Sequence, residues 1–331
     1  MKKNALSVIV PVHNVERYIG ACLKSLSAIQ GIDVAFFLVE NGSSDSSYEV
    51  CKTFAKDDSR FTILRLNESG VSNARNKALD ICDSEFVTFV DADDYIDAED
   101  FTQVFKNCLL NAPDLLFTPY FSDVGGKKAL VSLNLDKTEY KDEEIFDKIV
   151  QKRLAPGINF LGSVWRVIFK RSLIGNYRFN KQMCYQEDVS FLICCTLRAK
   201  SILVNNTPYY IYRINEGSAN KNSNVNNAKR RLDLINEIRK MASETGLDFN
   251  LAIAQRFISY YSRFCNEVRL NSSLRTRLRE TIGIHKQISP QHIALCDSRA
   301  LGRLFATYVR LRKKGFCRLA LFLILARNFF G

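Results

Sequence analysis

The stretch Phe86-Val-Thr-Phe-Val-Asp-Ala-Asp-Asp94 joins a run of aromatic and β-branched residues directly to three carboxylates. A nearly continuous apolar run of this length is typical of a strand that is buried on both faces of a parallel sheet. Two earlier runs end in a similar way: residues 6–12 lead into His13-Asn14, and residues 34–39 lead into Glu40-Asn41. Polar or acidic side chains therefore follow each of these three predicted strands.

Helical patterns alternate with the strands through the first third of the chain. Apolar residues at helical spacing and polar first turns predict helices over 15–29, 46–56 and 71–82, and a further strand over 61–66. The resulting β-α-β-α-β-α-β order indicates a doubly wound α/β sheet. In such sheets ligands bind beyond the carboxyl ends of the strands, where the polar residues lie here.

A polar segment divides the rest of the chain. Up to residue 213 the pattern is mixed, with a predicted helix over 98–110, a predicted strand over 115–121 and a Gly-Gly turn at 125–126. Residues 220–227 form an asparagine-rich linker, and everything beyond them has a helical pattern. We therefore expect an α/β domain over residues 1–219 and a mostly helical region over 220–331.

The composition argues against several classes of protein. None of the ten cysteines belongs to a C-x-x-C pair, so a zinc site is not indicated, and unpatterned thiols suit a reducing cytoplasm. No apolar stretch reaches the roughly 18 to 20 residues of a membrane span. The net charge of +12 is compatible with nucleic-acid binding, but no recognition motif accompanies it. We expect no nucleic-acid partner.

The carboxylates after residue 90 have two interpretations. If the strand continued, Asp91 and Asp93 would share one face, and their mutual repulsion would be relieved by a hard cation. Oxygen ligands favour Mg²⁺ or Mn²⁺, with a bound diphosphate supplying further oxygens. The alternative is an exposed acidic turn that caps the following helix.

Four motifs, in this order, resemble the family 2 glycosyltransferases, which are inverting enzymes of the GT-A fold: Ser7-Val-Ile-Val-Pro-Val-His-Asn14, Val39-Glu-Asn-Gly-Ser-Ser-Asp45, Gly70-Val-Ser-Asn-Ala-Arg-Asn76 and Phe89-Val-Asp-Ala-Asp-Asp94. A thinner resemblance to capsular and lipopolysaccharide sugar transferases continues through Trp165, Glu187-Asp188 and Tyr209-Tyr-Ile-Tyr-Arg213. The resemblance implies a GT-A nucleotide-sugar-binding, Rossmann-like domain. Its nucleotide-binding half would span about residues 1–110, and its acceptor half about 111–219.

The resemblance also implies roles for individual residues. The nucleotide would be bound by Pro11, Val12, Asn14, Glu40, Asn41, Arg75, Asp91 and Ala92. Glu40 and Arg75 would hold the base, Asp93 would ligate the metal, and Asp91 would touch the ribose or the metal shell. One departure is that Glu40-Asn41 stands where the family commonly has Asp-Asp, which leaves the choice of base open.

A catalytic base is needed because the acceptor hydroxyl must lose its proton as it attacks. By resemblance to the family's Glu-Asp motif, Asp188 would be this base, and Glu187 would orient it or the acceptor. The alternative is a pair of acids that merely suits the N-terminus of a helix. Trp165 and Tyr212 are candidates for contact with an acceptor sugar, although both residue types are common in protein cores.

The function implied is transfer of a sugar from a nucleotide-linked donor, UDP by resemblance, to a saccharide or lipid-linked saccharide in cell-surface polysaccharide biosynthesis. A nucleotidyltransferase that forms sugar nucleotides is one alternative, although no glycine-rich, lysine-bearing phosphate loop follows the first strand. A non-catalytic relative that binds sugar nucleotides or membranes is another.

The C-terminal tail, residues 299–330, mixes bulky apolar residues with arginine and lysine and has no acidic residue. Such a composition suits a helix in the headgroup layer of an anionic membrane. We therefore expect a cytoplasmic protein held peripherally at the inner face of the membrane. The alternative is that the tail docks on the catalytic domain or on a partner subunit.

Overall fold

The computed structural model describes residues 4–151, 163–183, 185–214, 225–249 and residue 310. The chain divides into two compact units. The first comprises residues 1–146, 160–182 and 187–218, and the second comprises residues 147–159, 183–186 and 219–331. The predicted basic tail, 299–330, lies outside the described residues except for Arg310.

The first unit begins with the alternation that the sequence predicts. Its elements are β1 (Leu6–Val12), α1 (Glu16–Ser27), β2 (Val34–Glu40), α2 (Ser47–Asp57), β3 (Phe61–Arg65), α3 (Val71–Ile81) and β4 (Phe86–Phe89). These four strands are parallel neighbours in the order β3-β2-β1-β4. The α/β expectation is confirmed, and the carboxyl ends of all four strands lie at one edge of the sheet.

The chain continues with shorter elements. They are β5 (Tyr95–Ile96), α4 (Ala98–Asn111), β6 (Leu115–Phe117), β7 (Tyr120–Val124), β8 (Lys127–Val131), β9 (Glu139–Lys141), a π-helical stretch (Ile145–Gln151), a 3₁₀ turn (Val164–Arg166), β10 (Val167–Lys170), α5 (Arg171–Ile174), α6 (Glu187–Arg198), β11 (Ser201–Val204), β12 (Tyr210–Arg213) and α7 (Val225–Thr245). One sheet has eight strands in the order β3-β2-β1-β4-β10-β6-β11-β9, and a smaller sheet has the order β5-β12-β7-β8. Strand β10 runs antiparallel to β4 and so makes the large sheet mixed.

The predicted single strand over residues 115–121 is wrong. Strand β6 pairs with β10 and β11 in the large sheet, whereas β7 pairs with β12 and β8 in the small one. Thr118-Pro119 lies between them. Because proline has no backbone N–H to donate to a ladder, the chain can leave one sheet here and enter the other.

The core of the large sheet follows the helical periodicity of the sequence. Helix α1 buries Ile19, Cys22, Leu23 and Leu26, which recur at intervals of three or four residues, in one cluster with the side chains of β1 and β2. Burial of each large apolar side chain contributes about 1.5–3 kcal/mol. This packing fixes the strands whose ends carry the polar residues described next.

Candidate active site

The loops that follow β1 and β2 are hydrogen-bonded to each other. The Asn14 Oδ1 accepts a hydrogen bond from Ser44 N at 2.8 Å, and Asn14 N donates to Ser43 Oγ at 3.2 Å. The His13 Nδ1 lies 2.9 Å from Asn41 O. Pro11 and Val12 pair with Val39 and Glu40 in the ladder directly below these loops. The structure therefore brings together the predicted nucleotide-binding residues of the first two strands.

Glu40 is buried and holds its loop in place. Its Oε1 accepts a hydrogen bond from Ser43 N, and its Oε2 accepts one from Arg65 Nε at 3.1 Å. Asn41 is only 3% exposed, and its Oδ1 has no hydrogen-bond partner among the described residues. An orphaned buried carbonyl of this kind costs about 1–3 kcal/mol, a cost that a bound ligand could relieve. Contact of Glu40 with a nucleobase, and of Asn41 with the nucleotide, stays a prediction.

The acidic segment is a turn rather than a continued strand. Strand β4 ends at Phe89, and Asp94 N donates to Asp91 O at 3.0 Å, so strand alternation does not govern how Asp91 and Asp93 point. The segment does not cap the next helix either. Asp97 caps α4, because its Oδ1 accepts hydrogen bonds from Glu99 N and Asp100 N.

Asp94 anchors this turn to the small sheet. It is fully buried, and it accepts hydrogen bonds from Tyr210 Oη and Arg213 N, both at 2.7 Å. The Tyr210 Oη also accepts a hydrogen bond from Asp91 N at 3.1 Å. Burial, together with the charges of Asp91 and Asp93, raises the pKa of Asp94 to about 8. The turn thus concentrates negative charge at the end of β4.

The carboxylates of the acidic turn are the candidate ligands of the predicted divalent metal ion. Within the described ranges, no group of three or more His, Cys, Asp or Glu side chains is arranged to hold an ion. A site completed by a diphosphate needs fewer protein ligands, and Mg²⁺ usually keeps only one or two carboxylates. The oxygen donors of Asp91 and Asp93 suit such a hard cation, which would also reduce the repulsion between neighbouring carboxylates.

Arg75 connects the acidic turn to the predicted catalytic pair. It lies in α3 and is 4% exposed. Its Nη2 donates to Asp91 Oδ1 and its Nη1 donates to Glu187 Oε1, both at 3.1 Å. The guanidinium also lies 5.3 Å from the centre of the Phe179 ring. Two segments that are 96 residues apart in the sequence therefore meet at one buried cation.

Asp188 lies in the first turn of α6, next to this ion pair. It is half-buried, and its Oδ1 accepts a hydrogen bond from Val189 N at 2.8 Å. Burial and the neighbouring Glu187 charge raise the pKa of Asp188 to about 8, although Arg75 opposes the shift. A carboxylate with a raised pKa binds a proton more strongly than an ordinary aspartate, as a general base must.

The two predicted acceptor residues lie in an aromatic cluster. Trp165 is 6% exposed and stacks on Tyr210 and Tyr212, with ring centres 4.2 and 5.6 Å apart. The Tyr120 ring contacts the Trp165 indole edge-on at 4.8 Å. Packing accounts for these contacts, and recognition of an acceptor sugar by Trp165 or Tyr212 stays a prediction.

Sequence reasoning did not identify the contribution of Tyr210 and Asp94. The Tyr-Tyr-Ile-Tyr-Arg segment is visible in the sequence, but its hydrogen bonds reach residues more than 100 positions away. No local pattern reports such a pairing. The sequence feature that could have indicated this pairing is Asp94, a third carboxylate in addition to the two that the predicted metal site needed.

Replacement of Tyr210 by phenylalanine tests this anchor. The substitution removes the hydroxyl that joins Asp91 N to Asp94, so that buried polar groups lose their partner. We expect a loss of about 1–3 kcal/mol in the free energy of unfolding. Urea denaturation of Tyr210→Phe measures it, with Tyr212→Phe as the matched control on the same strand. Equal stability of Tyr210→Phe and the native protein would contradict the anchor.

Comparisons with known proteins identify the family of the chain. The sequence profile described as "Glycosyl transferase family 2" matches residues 7–175. The uncharacterized glycosyltransferase EpsJ of Bacillus subtilis (strain 168) is 27% identical over 215 residues, which are 64% of this chain and 62% of EpsJ. The chain thus spans about three fifths of the length of this curated relative.

Two solved structures share the fold. The structure of S. aureus TarS residues 1–349 with UDP-GlcNAc superposes with a TM-score of 0.73 at 19% identity, covering 98% of this chain and 91% of that one. The mannosyltransferase PcManGT of Pyrobaculum calidifontis, in complex with GDP-Man and Mn²⁺, gives a TM-score of 0.54 at 14% identity, covering 100% and 88%. The GT-A expectation is confirmed at the level of the fold.

The described residues contain no helix that is long and apolar enough to cross a bilayer.

The profile match covers about half of the chain, and it includes all four motifs and the acidic turn that meets Arg75. The chain belongs to glycosyl transferase family 2.

Proposed function

We propose that this protein is an inverting glycosyltransferase that moves a sugar from a UDP-linked donor to a saccharide or lipid-linked saccharide acceptor. The observation that carries the proposal is the ion-pair bridge of Arg75, which joins the acidic turn at Asp91 to the pair Glu187-Asp188. A donor-side carboxylate group and a candidate base are thereby adjacent but distinct. A single displacement at an anomeric carbon requires such an arrangement, because the base that deprotonates the acceptor must be a different group from the carboxylates on the donor side.

The donor would lie over the carboxyl ends of β1, β2 and β4. The hydrogen-bonded loops around Asn14 and Asn41 would hold the nucleoside, and Arg75 would contribute positive charge near the nucleobase. Asp93 and Asp91 would hold Mn²⁺ or Mg²⁺. When bound, the ion would neutralise charge on the diphosphate. The fold shared with TarS, whose structure contains UDP-GlcNAc, supports a nucleotide sugar as the donor.

The reaction would use Asp188 as the base. The Asp188 carboxylate would accept the proton of the acceptor hydroxyl while that oxygen forms a bond to the anomeric carbon. The bond from the anomeric carbon to the diphosphate oxygen would break on the opposite side, which inverts the configuration. Glu187, which Arg75 fixes, would orient Asp188 or the acceptor.

A donor assay tests the activity without knowledge of the acceptor. UDP-, GDP- and dTDP-sugars are incubated with the protein, with and without Mn²⁺, and release of the nucleoside diphosphate is measured while water takes the place of the acceptor and receives the sugar. We expect metal-dependent release from one class of donor. Formation of sugar nucleotide and pyrophosphate from a sugar phosphate and a nucleoside triphosphate would instead favour the nucleotidyltransferase alternative.

The pH dependence of transfer follows from Asp188. Because the base must be deprotonated and its pKa is raised to about 8, kcat/KM should rise about tenfold per pH unit below pH 8 and level off above it. The profile is measured at saturating Mn²⁺ from pH 6 to 9.5, within the range where the protein stays folded. A flat profile over this range would contradict the role of Asp188.

Attachment to the membrane is the proposed role of the basic tail. Each lysine or arginine near an anionic surface contributes about 1 kcal/mol, so removal of three charges should weaken binding by about two orders of magnitude. The test is flotation with phosphatidylglycerol vesicles of the native chain and of Lys313→Gln/Lys314→Gln/Arg318→Gln. Equal flotation of both proteins would favour docking of the tail on protein instead.

A further inference from the structure

A cleft lies between the end of β3, helix α3 and residues 178–181. Its volume is about 550 Å³, and polar side chains dominate its lining. Four cationic side chains from these three segments line it: Arg65, Lys77, Arg178 and Lys181. Only two carboxylates, Glu68 and Asp80, face them. Four cations against two carboxylates give the lining a net positive charge, and the cleft adjoins the candidate active site through Arg65, the partner of Glu40.

Two of these cations are fixed by other groups. The Arg65 Nε donates to Glu40 Oε2 at 3.1 Å, and its guanidinium lies 4.6 Å from the centre of the Tyr48 ring. The Arg178 Nε donates to Asp80 Oδ1 at 2.7 Å, and its Nη1 donates to Tyr177 O at 2.7 Å. Both arginines are thus held in place in the lining of the cleft, with N–H groups remaining for other partners.

The two lysines differ from the arginines. Lys77 and Lys181 are both exposed, and neither forms an ion pair with a carboxylate in the part of the chain that the structure describes. They come from different segments, one from α3 and the other from the loop before α6. Two ammonium groups without an ion-pair partner, on two different segments, favour a ligand that carries more than one negative charge along its length.

The cleft and the candidate active site share their supporting elements. The Asn76 amide donates to Phe179 O at 2.9 Å and accepts from Phe179 N at 2.8 Å, which fixes the 178–181 segment on α3. The preceding residue, Arg75, binds Asp91 and Glu187. Phe179 lines the cleft, and its ring centre lies 5.3 Å from the Arg75 guanidinium, so a ligand in the cleft would lie beside the candidate active site.

We propose that this cleft binds an anionic chain with repeated phosphate or carboxylate groups, as the part of the acceptor that is remote from the reacting hydroxyl. The assignment of this anionic ligand as an acceptor rests on the proposed glycosyl transfer, whereas the binding of the ligand to the cleft does not. A neutral chain of the same length would gain nothing from the four cations. Nucleic acid has the same repeated charge, and the test includes it as a competing outcome.

The test compares binding of three hexamers by isothermal titration at low salt: a synthetic glycerol phosphate hexamer, neutral maltohexaose and oligothymidylate. The proteins are the native chain, Lys77→Gln/Lys181→Gln, and the control Lys24→Gln/Lys106→Gln. The control removes two lysines that are also exposed and that lie on α1 and α4, away from the cleft lining. Thermal melting verifies that all three proteins are folded, and a titration with UDP and Mn²⁺ reports the donor site separately.

We expect the glycerol phosphate hexamer to bind the native protein and the control equally. Its affinity for Lys77→Gln/Lys181→Gln should fall about tenfold, which is the effect of two exposed charge contacts. Maltohexaose should not bind, and UDP binding should be the same in all three proteins. No binding of the phosphate hexamer, or equal affinity for both double variants, would overturn the proposal. Oligothymidylate binding of equal strength and equal lysine dependence would overturn it in favour of a nucleic-acid surface.

Discussion

Replacement of Asp188 by asparagine is expected to lower kcat about 10³-fold, which is within the usual contribution of a general base. Asparagine has the same shape, and its Oδ1 can still accept the hydrogen bond from Val189 N. It cannot accept a proton from the acceptor hydroxyl. The donor should therefore bind normally while transfer nearly stops. Initial rates at saturating donor and acceptor measure the effect.

Asp100→Asn is the matched control for this substitution. Asp100, like Asp188, lies in the first turn of a helix, so its replacement causes the same loss of a favourable dipole interaction. It does not contact Arg75 or the acidic turn in the described structure. Retention of more than a tenth of the native rate by Asp188→Asn would mean that another group accepts the proton.

Replacement of Arg75 by methionine is expected to lower the free energy of unfolding by about 3 kcal/mol. Removal of one partner of a buried ion pair leaves the other charge uncompensated, and here Asp91 and Glu187 both lose their partner. The estimate is at the low end of the usual range because the Asp91 side chain is 28% exposed. Transfer activity should also fall, since Glu187 and Asp91 would repel each other.

The charge explanation of this loss can be separated from lost packing. Glu187→Gln in the Arg75→Met background removes one of the uncompensated carboxylates, so it should restore part of the stability. Arg75→Lys keeps the charge but cannot reach both carboxylates with a rigid fork, so it should be intermediate. Urea denaturation of the four proteins measures these differences. No recovery in the double variant would show that packing on the Phe179 ring dominates instead.

The sequence predicted the parts of the fold that depend on local pattern. Strands β1, β2 and β4 could be identified because buried parallel strands are continuous apolar runs, and the polar residues after them marked the edge of the sheet. The hydrophobic pattern did not reveal the break at Pro119, because residues 115–121 have a pattern that is compatible with one continuous strand. Nothing local indicated that β10 would pair antiparallel to β4.

In the candidate site, too, some features could be predicted from local sequence and others depend on tertiary structure. The acidic turn and the Glu187-Asp188 pair could be singled out by motif, but their contact through Arg75 depends on tertiary structure. The position of Asp94 was also inaccessible, because its partners, Tyr210 and Arg213, are on a strand of the other sheet. Sequence reasoning thus identified residue types suited to the chemistry, and the fold supplied the contacts that connect them.

A nucleoside diphosphate is proposed to bind at the acidic turn together with a divalent ion. Isothermal titration of UDP, GDP and dTDP, each with and without Mn²⁺, tests it on the native protein and on Asp93→Asn. We predict metal-dependent binding of UDP that Asp93→Asn loses, while thermal melting shows the variant to be folded. Absence of binding by all three nucleotides, or UDP binding that depends on neither Mn²⁺ nor Asp93, would contradict the account.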